Sequence, residues 1–543
     1  MTTSASADER RASRAASFVH PLLFATYPVL LLYSSSMDTV AIALILRPLV
    51  IAVAVALALL MLTSLVVKEF PRAALFISVL LLWAFSYGYG RLLVPVRHLY
   101  FLSIYLPLLV PLWIWVARTR LNLVNLTKIA NAVAVALVML SIGRIGLYQL
   151  QQQQARPTFG QPGAGQPGAL LTEQLGYRPD IYYIILDGYG RSDILKSLYG
   201  EDNTDFISHL RKRGFYIATQ SRANYPETML SLASSLNMSY LHVPSEGPLS
   251  RTFAPATDLI LHNQVCALLK RQGYRIVVFA SAWEITDTFP ADVKMRPVLA
   301  VSCFETALAE TTIWDGIGRG ALGHFGLGFP PPSRTKTLYA LENLPRVPRE
   351  RGPVFVFAHM MVPHPPFVFG RDGEPVTTSS GTLDESGLRQ LFVTGYRNQV
   401  AYISDRIQGV IDQILSTSSE SPVILLQGDH GPRCYLKWDD PRRSNLEDAM
   451  DNLNAYYLPG HGRKALYPSI SPVNSFRVVF NTCFGANYRL LEDTSYFSNP
   501  AHPYDLIELE LDTRGKLAVK GDRVAVTVSG IGYKLRRPTK VTK

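Results

Sequence analysis

Five apolar stretches crowd the first 150 residues, and they constrain this chain more than any other feature. They run from Ser17 to Met37, Pro48 to Val67, Ala73 to Gly90, His98 to Ala117 and Lys128 to Leu150, the last interrupted by Arg144. Each is about long enough to cross a ~30 Å hydrocarbon core as a helix. Five in succession are hard to reconcile with buried helices of a soluble core. A cleaved signal peptide also fits poorly, because four more stretches follow the first.

The basic residues set an orientation. Arg10, Arg11 and Arg14 precede the first stretch, Lys68 and Arg72 follow the second, and Arg118, Arg120 and Lys128 follow the fourth. With five spans these groups share one side and outnumber Arg91, Arg97 and Arg156 opposite. The positive-inside rule then makes residues 1–16 a cytoplasmic N-terminus, with everything after residue 150 outside. Arg47 interrupts the apolar pattern at the outer end of the second span. It fits a side chain snorkelling to the interface or a contact to a lipid phosphate shared with Arg91 and Arg97. The net charge of +11 suits a membrane surface, and no basic run is interleaved with aromatics as nucleic-acid binding would require.

Residues 151–179 are dominated by Gln, Gly and Pro without apolar period, and read as a linker. From Asp180 to the end the pattern becomes that of one outer domain. "IYYIIL" (181–186), "RIVVFA" (275–280), "VFVFAH" (354–359) and "VILLQ" (423–427) suit strands buried on both faces. Helical patterns lie between them, in "LILHNQVCALLKRQG" and "TGYRNQVAYISDRIQGVIDQIL". The alternation predicts a mostly parallel central sheet with helices on both faces. A late "FRVVF" (476–480) reads as one more strand, and residues 515–543 as a short basic β-rich tail. The four cysteines, Cys266, Cys303, Cys434 and Cys483, form no CxxC pair, which argues against a structural zinc site. They allow two disulfides in an oxidising compartment, or four free thiols.

The strand ends carry the chemistry. "IYYIIL" runs into Asp187-Gly188, "VILLQG" into Asp429-His430-Gly431, and "VFVFAH" ends at His359 with His364 five residues on. In open α/β sheets ligands bind outside the carboxyl ends of strands. Carboxylates with imidazole suit zinc, and a more oxygen-rich shell suits manganese. Asp187, Asp429 and His430 want a fourth ligand, which the hydroxyl of Thr228 in "NYPETMLSLAS" supplies. A hydroxyl beside a divalent cation loses its proton more readily and becomes a nucleophile. Pro226 at an early helix position, with free first-turn amides, would also favour an anion there. Ser231, one turn along, is the competing nucleophile.

Together, "DIYYIILDGYGRSD", "NYPETMLSLAS", "HMMVPHPPF", "YRNQVAYISDRI" and "VILLQGDHG" resemble the alkaline phosphatase superfamily, over roughly residues 178–435. Within it the set resembles the sulfatase-like branch of membrane-anchored enzymes, which includes lipoteichoic acid synthases and phosphoethanolamine transferases. The resemblance implies a five-helix transmembrane region (17–150) and an extracytoplasmic sulfatase-like α/β catalytic domain (180–543). It implies that Asp187, Thr228, Asp429 and His430 hold one divalent cation, Mn2+ or Zn2+, and that Thr228 carries a covalent phosphoryl intermediate. It gives His364 a contact to the substrate's charged group and protonation of the leaving oxygen, with His359 as a second contact. Arg477, beyond the resembling stretch, is a candidate for an anionic substrate group.

Two departures from the family pattern matter. No Cys- or Ser-x-Pro-x-Arg signature lies near Thr228, which argues against a formylglycine sulfatase. No Asp-x-x-x-His pair accompanies His359 and His364, so a complete second metal site is not expected, although His461 would be one contributor. The expectation is a multi-pass protein of the cytoplasmic (inner) membrane with a periplasmic or extracellular catalytic domain. It would transfer phosphoglycerol or phosphoethanolamine from a membrane phospholipid to a glycan, a lipid or water. The alternatives are a sulfuric or phosphoric ester hydrolase with a soluble substrate, and an inactive membrane-tethered binding protein.

Overall fold

The computed structural model describes residues 19–67, 69–94, 98–118, 123–155, 178–247, 249–298, 300–318, 331–347, 352–376 and 385–520. The basic residues Arg10, Arg11, Arg14, Lys68, Arg97, Arg120 and Arg156, most of the linker, the tail beyond 520 and the side chain of His461 lie outside the described residues. Contacts divide the chain into two units. One is Met1–Gln153 with Val301–Pro330, and the other is Gln154–Ala300 with Pro331–Lys543.

In the first unit, four helices are long and apolar enough to cross a membrane: Ile42–Val67, Phe70–Leu93, Leu99–Arg118 and Leu123–Gln152. The first predicted span forms the shorter helix Val19–Ser34 of 16 residues. Five full-length spans are therefore not what the described residues contain. Much of the apolar surface of the long helices faces outward, as at Val66 (78 % exposed) and Leu92 (82 %). An aqueous surroundings would penalise such a surface, and lipid would not. Residues from the far side of the linker join this unit. The helix Cys303–Glu310 buries Phe304 among Val29, Leu30, Tyr33 and Ile45. The Arg47 guanidinium makes a two-pronged ion pair with Glu305.

The second unit holds a seven-stranded sheet with three antiparallel strands beside it. The strands are β1 (Ile181–Leu186), β2 (Tyr216–Ile217), β3 (Arg275–Phe279), β4 (Val293–Met295), β5 (Val354–Met360), β6 (Val423–Gln427), β7 (Asn454–Tyr457), β8 (Ser495–Asn499), β9 (His502–Leu511) and β10 (Leu517–Val519). The large sheet has the order β2-β7-β6-β1-β5-β3-β4. β6, β1, β5, β3 and β4 are parallel, while β7 and β2 close one edge antiparallel.

Alternation along β1 explains the two layers. Ile181, Tyr183 and Ile185 face one apolar core, which includes Leu230, Leu236, Phe476 and Phe480. Tyr182, Ile184 and Leu186 face the other, with Val400, Ile403, Ile407 and Ile411 of the helix Glu385–Thr417. Each face of the sheet is thus covered, and a strand buried on both sides must be apolar throughout.

Two predicted elements differ. "FRVVF" lies inside the helix Pro472–Phe484, with Pro472 in its first turn and Gly485 in the left-handed C-cap (φ 64°). Nearly every side chain of this helix is buried, so its apolar run carries no helical period to distinguish it from a strand. "LILHNQVCALLKRQG" forms two helices, Ala254–Leu261 and Gln264–Arg271, because the Asn263 side chain accepts from Cys266 N–H and starts a new helix. All four cysteines are free thiols.

Candidate active site

β1 lies between β6 and β5, so the carboxyl end of each is about one strand spacing (~4.8 Å) from that of β1. The register pairs Ile185 with both His359 and Gln427, so Asp187 and Asp429 emerge at one level, with His359 two residues below them on β5. Asp187, Asp429 and His430 are buried, and one ligand atom from each lies within 4.8 Å of the others.

Backbone contacts fix these loops. Gly188 (φ 70°) donates its N–H to Asp429 Oδ1 at 3.0 Å. Neither Gly428 nor Gly431 has a positive φ. They permit close approach: a Cβ on Gly428 would lie 2.3 Å from Tyr189 O, and one on Gly431 would lie 2.3 Å from Asp448 O. The helix Glu385–Thr417 buttresses the other loops. Tyr396 donates to Gly188 O (2.8 Å), and Gln399 Nε2 donates to Pro363 O (3.0 Å) and His364 O (3.2 Å).

Thr228 opens the ten-residue helix Thr228–Asn237, with Glu227 as its N-cap residue. Pro226 precedes the cap rather than occupying the first turn. His430 Nδ1 lies 2.7 Å from Gly431 O, which makes it the protonated nitrogen and leaves a lone pair on Nε2. Thr228 Oγ1 is 3.1 Å from that Nε2 and donates to it. Ser231 does not compete: its hydroxyl is buried and donates to Asp429 O at 2.7 Å.

The electrostatics are strongly perturbed. Burial opposes the Asp187 carboxylate, yet His364, His359 and His430 together hold its pKa well below the usual range. Burial, then the charge of Asp187, pushes Asp429 up to about 6. Burial, then Arg433, keeps His430 neutral by lowering its pKa well below the usual imidazole range. Several buried polar atoms make no hydrogen bond among the described residues: Asp187 Oδ1, Asp429 Oδ2 and both ring nitrogens of His359. Two orphaned carboxylate oxygens, an imidazole lone pair and a hydroxyl converge here. This donor set fits a divalent cation, since buried polar groups left unmatched are costly.

His359 lies on β5, with Nε2 at 3.4 Å from Asp187 Oδ2 and its ring 4.8 Å from that of Trp283. His364 approaches from the loop after β5, its ring 6.1 Å from that of His430. Its Nδ1 lies 2.5 Å from Pro365 O, and its Nε2 accepts from Arg433 at 2.8 Å. In this arrangement Nε2 offers no N–H to a leaving oxygen. Arg477 is not brought to the cluster. Its guanidinium donates to Met238 O (2.7 Å) and Arg489 O (2.7 Å). Met238 caps the far end of the Thr228 helix, about 15 Å away at 1.5 Å per residue.

Sequence reasoning missed Arg433 and Glu227. Arg433 sits in the left-handed region (φ 68°), and its guanidinium joins three elements of the site. It donates to Pro226 O (2.8 Å), meets His364 and lies 3.7 Å from Glu227. Burial pushes the Glu227 carboxyl up to about 7, although Arg433 pulls it down. The available signal was position alone: Arg433 lies three residues past His430 and Glu227 immediately before Thr228.

No family model matches the chain, and no curated protein matches it in sequence. Among solved structures it is similar to the C-terminal periplasmic domain of EptC from Escherichia coli (14 % identity, 63 % of this chain and 96 % of that one, TM-score 0.41). It is also similar to the integral membrane lipooligosaccharide phosphoethanolamine transferase A (EptA) from Neisseria meningitidis (12 % identity, 88 % and 95 %, TM-score 0.38). A third is a protein in the alkaline phosphatase superfamily from Vibrio parahaemolyticus (13 % identity, 67 % and 85 %, TM-score 0.39). At these values function is argued from the site itself.

Proposed function

We propose that this chain is a sulfatase-like member of the alkaline phosphatase superfamily, anchored in the cytoplasmic membrane with its catalytic unit outside. In this reading the helix Val19–Ser34 is the first of five spans. The enzyme transfers a phospho-alcohol, phosphoglycerol or phosphoethanolamine, from a membrane phospholipid to a glycan, a lipid or water. The observation that carries the reading is the convergence of Asp187, Asp429 and His430 on the Thr228 hydroxyl, with orphaned carboxylate oxygens facing one another.

Asp187, Asp429, His430 and Thr228 are the residues that would hold one divalent cation, Mn2+ or Zn2+. When bound, such a cation offsets charge on a phosphoryl group and eases ionisation of a neighbouring hydroxyl. The protein's own residues do the rest. Thr228 Oγ1 attacks phosphorus as the bond to the diacylglycerol oxygen breaks. Oγ1 gives up one proton and the departing diacylglycerol takes up one. An acceptor hydroxyl or water then attacks the phospho-Thr228 phosphorus, restoring Oγ1 and its proton. Free N–H groups in the first turn of the Thr228 helix and the guanidinium of Arg433 meet the phosphoryl oxygens. His364 contacts the same group and returns the leaving-group proton once substrate replaces Arg433 at Nε2. His359 is the second substrate contact. The Arg477 geometry supports a structural role only.

Mass spectrometry of the intact protein, incubated with labelled phosphatidylglycerol or phosphatidylethanolamine, tests this. The expected result is a phospho-alcohol adduct on Thr228 with release of diacylglycerol, both absent in Thr228→Ala. Cleavage of soluble esters alone would replace the transferase reading with the hydrolase. Undiminished turnover in Thr228→Ala would overturn the mechanism.

A further inference from the structure

The loop that carries Asp429, His430 and Arg433 continues through Cys434 and Tyr435 into the wall of a cavity of about 560 Å³. Six cationic side chains line it: Arg389, Lys437, Arg442, Arg443, Arg514 and Lys516. Only two carboxylates, Glu447 and Asp512, oppose them in the lining, with Glu385 at 3.1 Å from both Arg389 and Lys437. Asp512 is engaged by Arg514 at 3.0 Å, and Glu447 accepts the Leu517 N–H at 2.9 Å. Arg442, Arg443 and Lys516 make no ion pair among the described residues.

This is a held surface rather than a row of solvated side chains. Ser444 Oγ receives the Lys437 N–H (2.8 Å) and donates to Lys437 O (3.1 Å), closing residues 437–444 into a ring. Asp440 caps the short helix Pro441–Arg443 by accepting the Arg442 N–H at 2.9 Å. Leu517 of the lining is anchored in a buried apolar cluster with Leu436, Leu446, Met450 and Phe497. The Tyr435 ring, with the Arg389 guanidinium 5.5 Å above it, stands in the wall. Holding three unmatched cations together costs repulsion that a polyanion would relieve.

We propose that this cavity is a binding subsite for a phosphate-bearing polyanion, and that it seats the acceptor of the transferred group. The second clause rests on the transferase reading above; the first does not. A ligand with clustered phosphates fits the six cations, and the shared loop leads from them to Arg433, whose guanidinium reaches Pro226 O two residues before Thr228. From Arg433 to Lys437 the chain spans at most about 14 Å, so a phosphorylated acceptor held here keeps its hydroxyl groups within reach of the active-site mouth. Phosphates of a soluble ligand and of a lipid headgroup share this chemistry.

The test uses the full chain in detergent micelles, with the Thr228→Ala substitution so that turnover does not enter. Titration with tripolyphosphate is one arm, and mixed micelles containing phosphatidic acid are the other. Saturable binding in either arm, weakened at least about tenfold by Arg442→Glu with Arg443→Glu, is expected. It should be unchanged by Lys196→Glu, an exposed cation elsewhere in the unit. The arm that binds identifies the source of the phosphate. Equal binding with and without the double substitution, or equal weakening by Lys196→Glu, overturns the subsite. Binding intact with no adduct on Thr228 in the unsubstituted protein would remove the transferase reading and leave the subsite standing.

Discussion

Replacing Arg433 by Ala tests whether the active-site mouth is organised as described. Its side chain is only 13 % exposed and is committed to three groups: Pro226 O and His364 Nε2, both at 2.8 Å, and the Glu227 carboxylate at 3.7 Å. A hydrogen bond from a charged donor contributes about 1.5–3 kcal/mol, and leaving its buried acceptor unmatched removes that amount. Removing the guanidinium also takes away the one charge that lowers the Glu227 pKa, so that carboxyl rises above about 7 and stays protonated at neutral pH. The group that would meet a phosphoryl oxygen is lost with it. If one such interaction is realised in the transition state, kcat/KM for a soluble phosphodiester should fall about 10- to 100-fold, or ~1.4–2.8 kcal/mol. Bound metal should stay near the wild-type amount, because Asp187, Asp429 and His430 do not depend on that side chain for their positions. His364→Ala should lose less in an Arg433→Ala background than alone, since the two share one hydrogen bond. Arg433→Lys should recover part of the loss but not all, as an ammonium lacks the planar fork. Unchanged kcat/KM in Arg433→Ala, or strictly additive losses with His364→Ala, would refute this account.

Three other outcomes follow from the same geometry. Ser231→Ala should lower stability by about 1 kcal/mol through the lost bond to Asp429 O, with turnover kept within a few fold; loss of the Thr228 adduct would restore Ser231 as a nucleophile candidate. Gly431→Ala should cost about 1–3 kcal/mol and most of the bound metal, because its Cβ would lie 2.3 Å from Asp448 O and the backbone beside His430 must move. A melting temperature and metal content equal to the parent would contradict that. Asp448 is raised to about 6 by burial, despite hydrogen bonds from Tyr199 and the Tyr435 N–H, so the folded chain keeps a proton that the unfolded chain releases. Its contribution is complete below about pH 4 and is lost as pH rises towards 6, a change of about 3 kcal/mol. Melting the full chain and Asp448→Asn between pH 4 and 7 should therefore show the variant gaining on the parent as pH rises; a constant gap would be the wrong result.

The strands that position the site were legible because burial on both faces forces an unbroken apolar run, as in "IYYIIL" and "VILLQ". Asp187, Thr228, Asp429 and His430 could be proposed as a candidate cluster because each stands at a strand end or helix start that local pattern marks, and the structure brings their side chains together. The same reasoning failed at "FRVVF". A helix buried all round also reads as an apolar run, and only packing against β1 and the Thr228 helix tells the two apart. It failed at Arg477, whose guanidinium secures the Met238 and Arg489 carbonyls instead of an anion. Arg433 and Glu227 went unseen because their importance lies in what they touch, and their partners are distant in sequence.

By itself the sequence determined the apolar spans, the alternation of strand and helix, and which residue types stand at the strand ends. Those properties follow from local periodicity and solvent preference, which act residue by residue. Only the tertiary structure decided that β6, β1 and β5 are neighbours, that the His430 lone pair faces the Thr228 hydroxyl, and that Arg47 belongs to Glu305. Strand order and side-chain pairing depend on contacts between segments hundreds of residues apart. Their energies are set by burial and distance, and neither exists until the chain has folded.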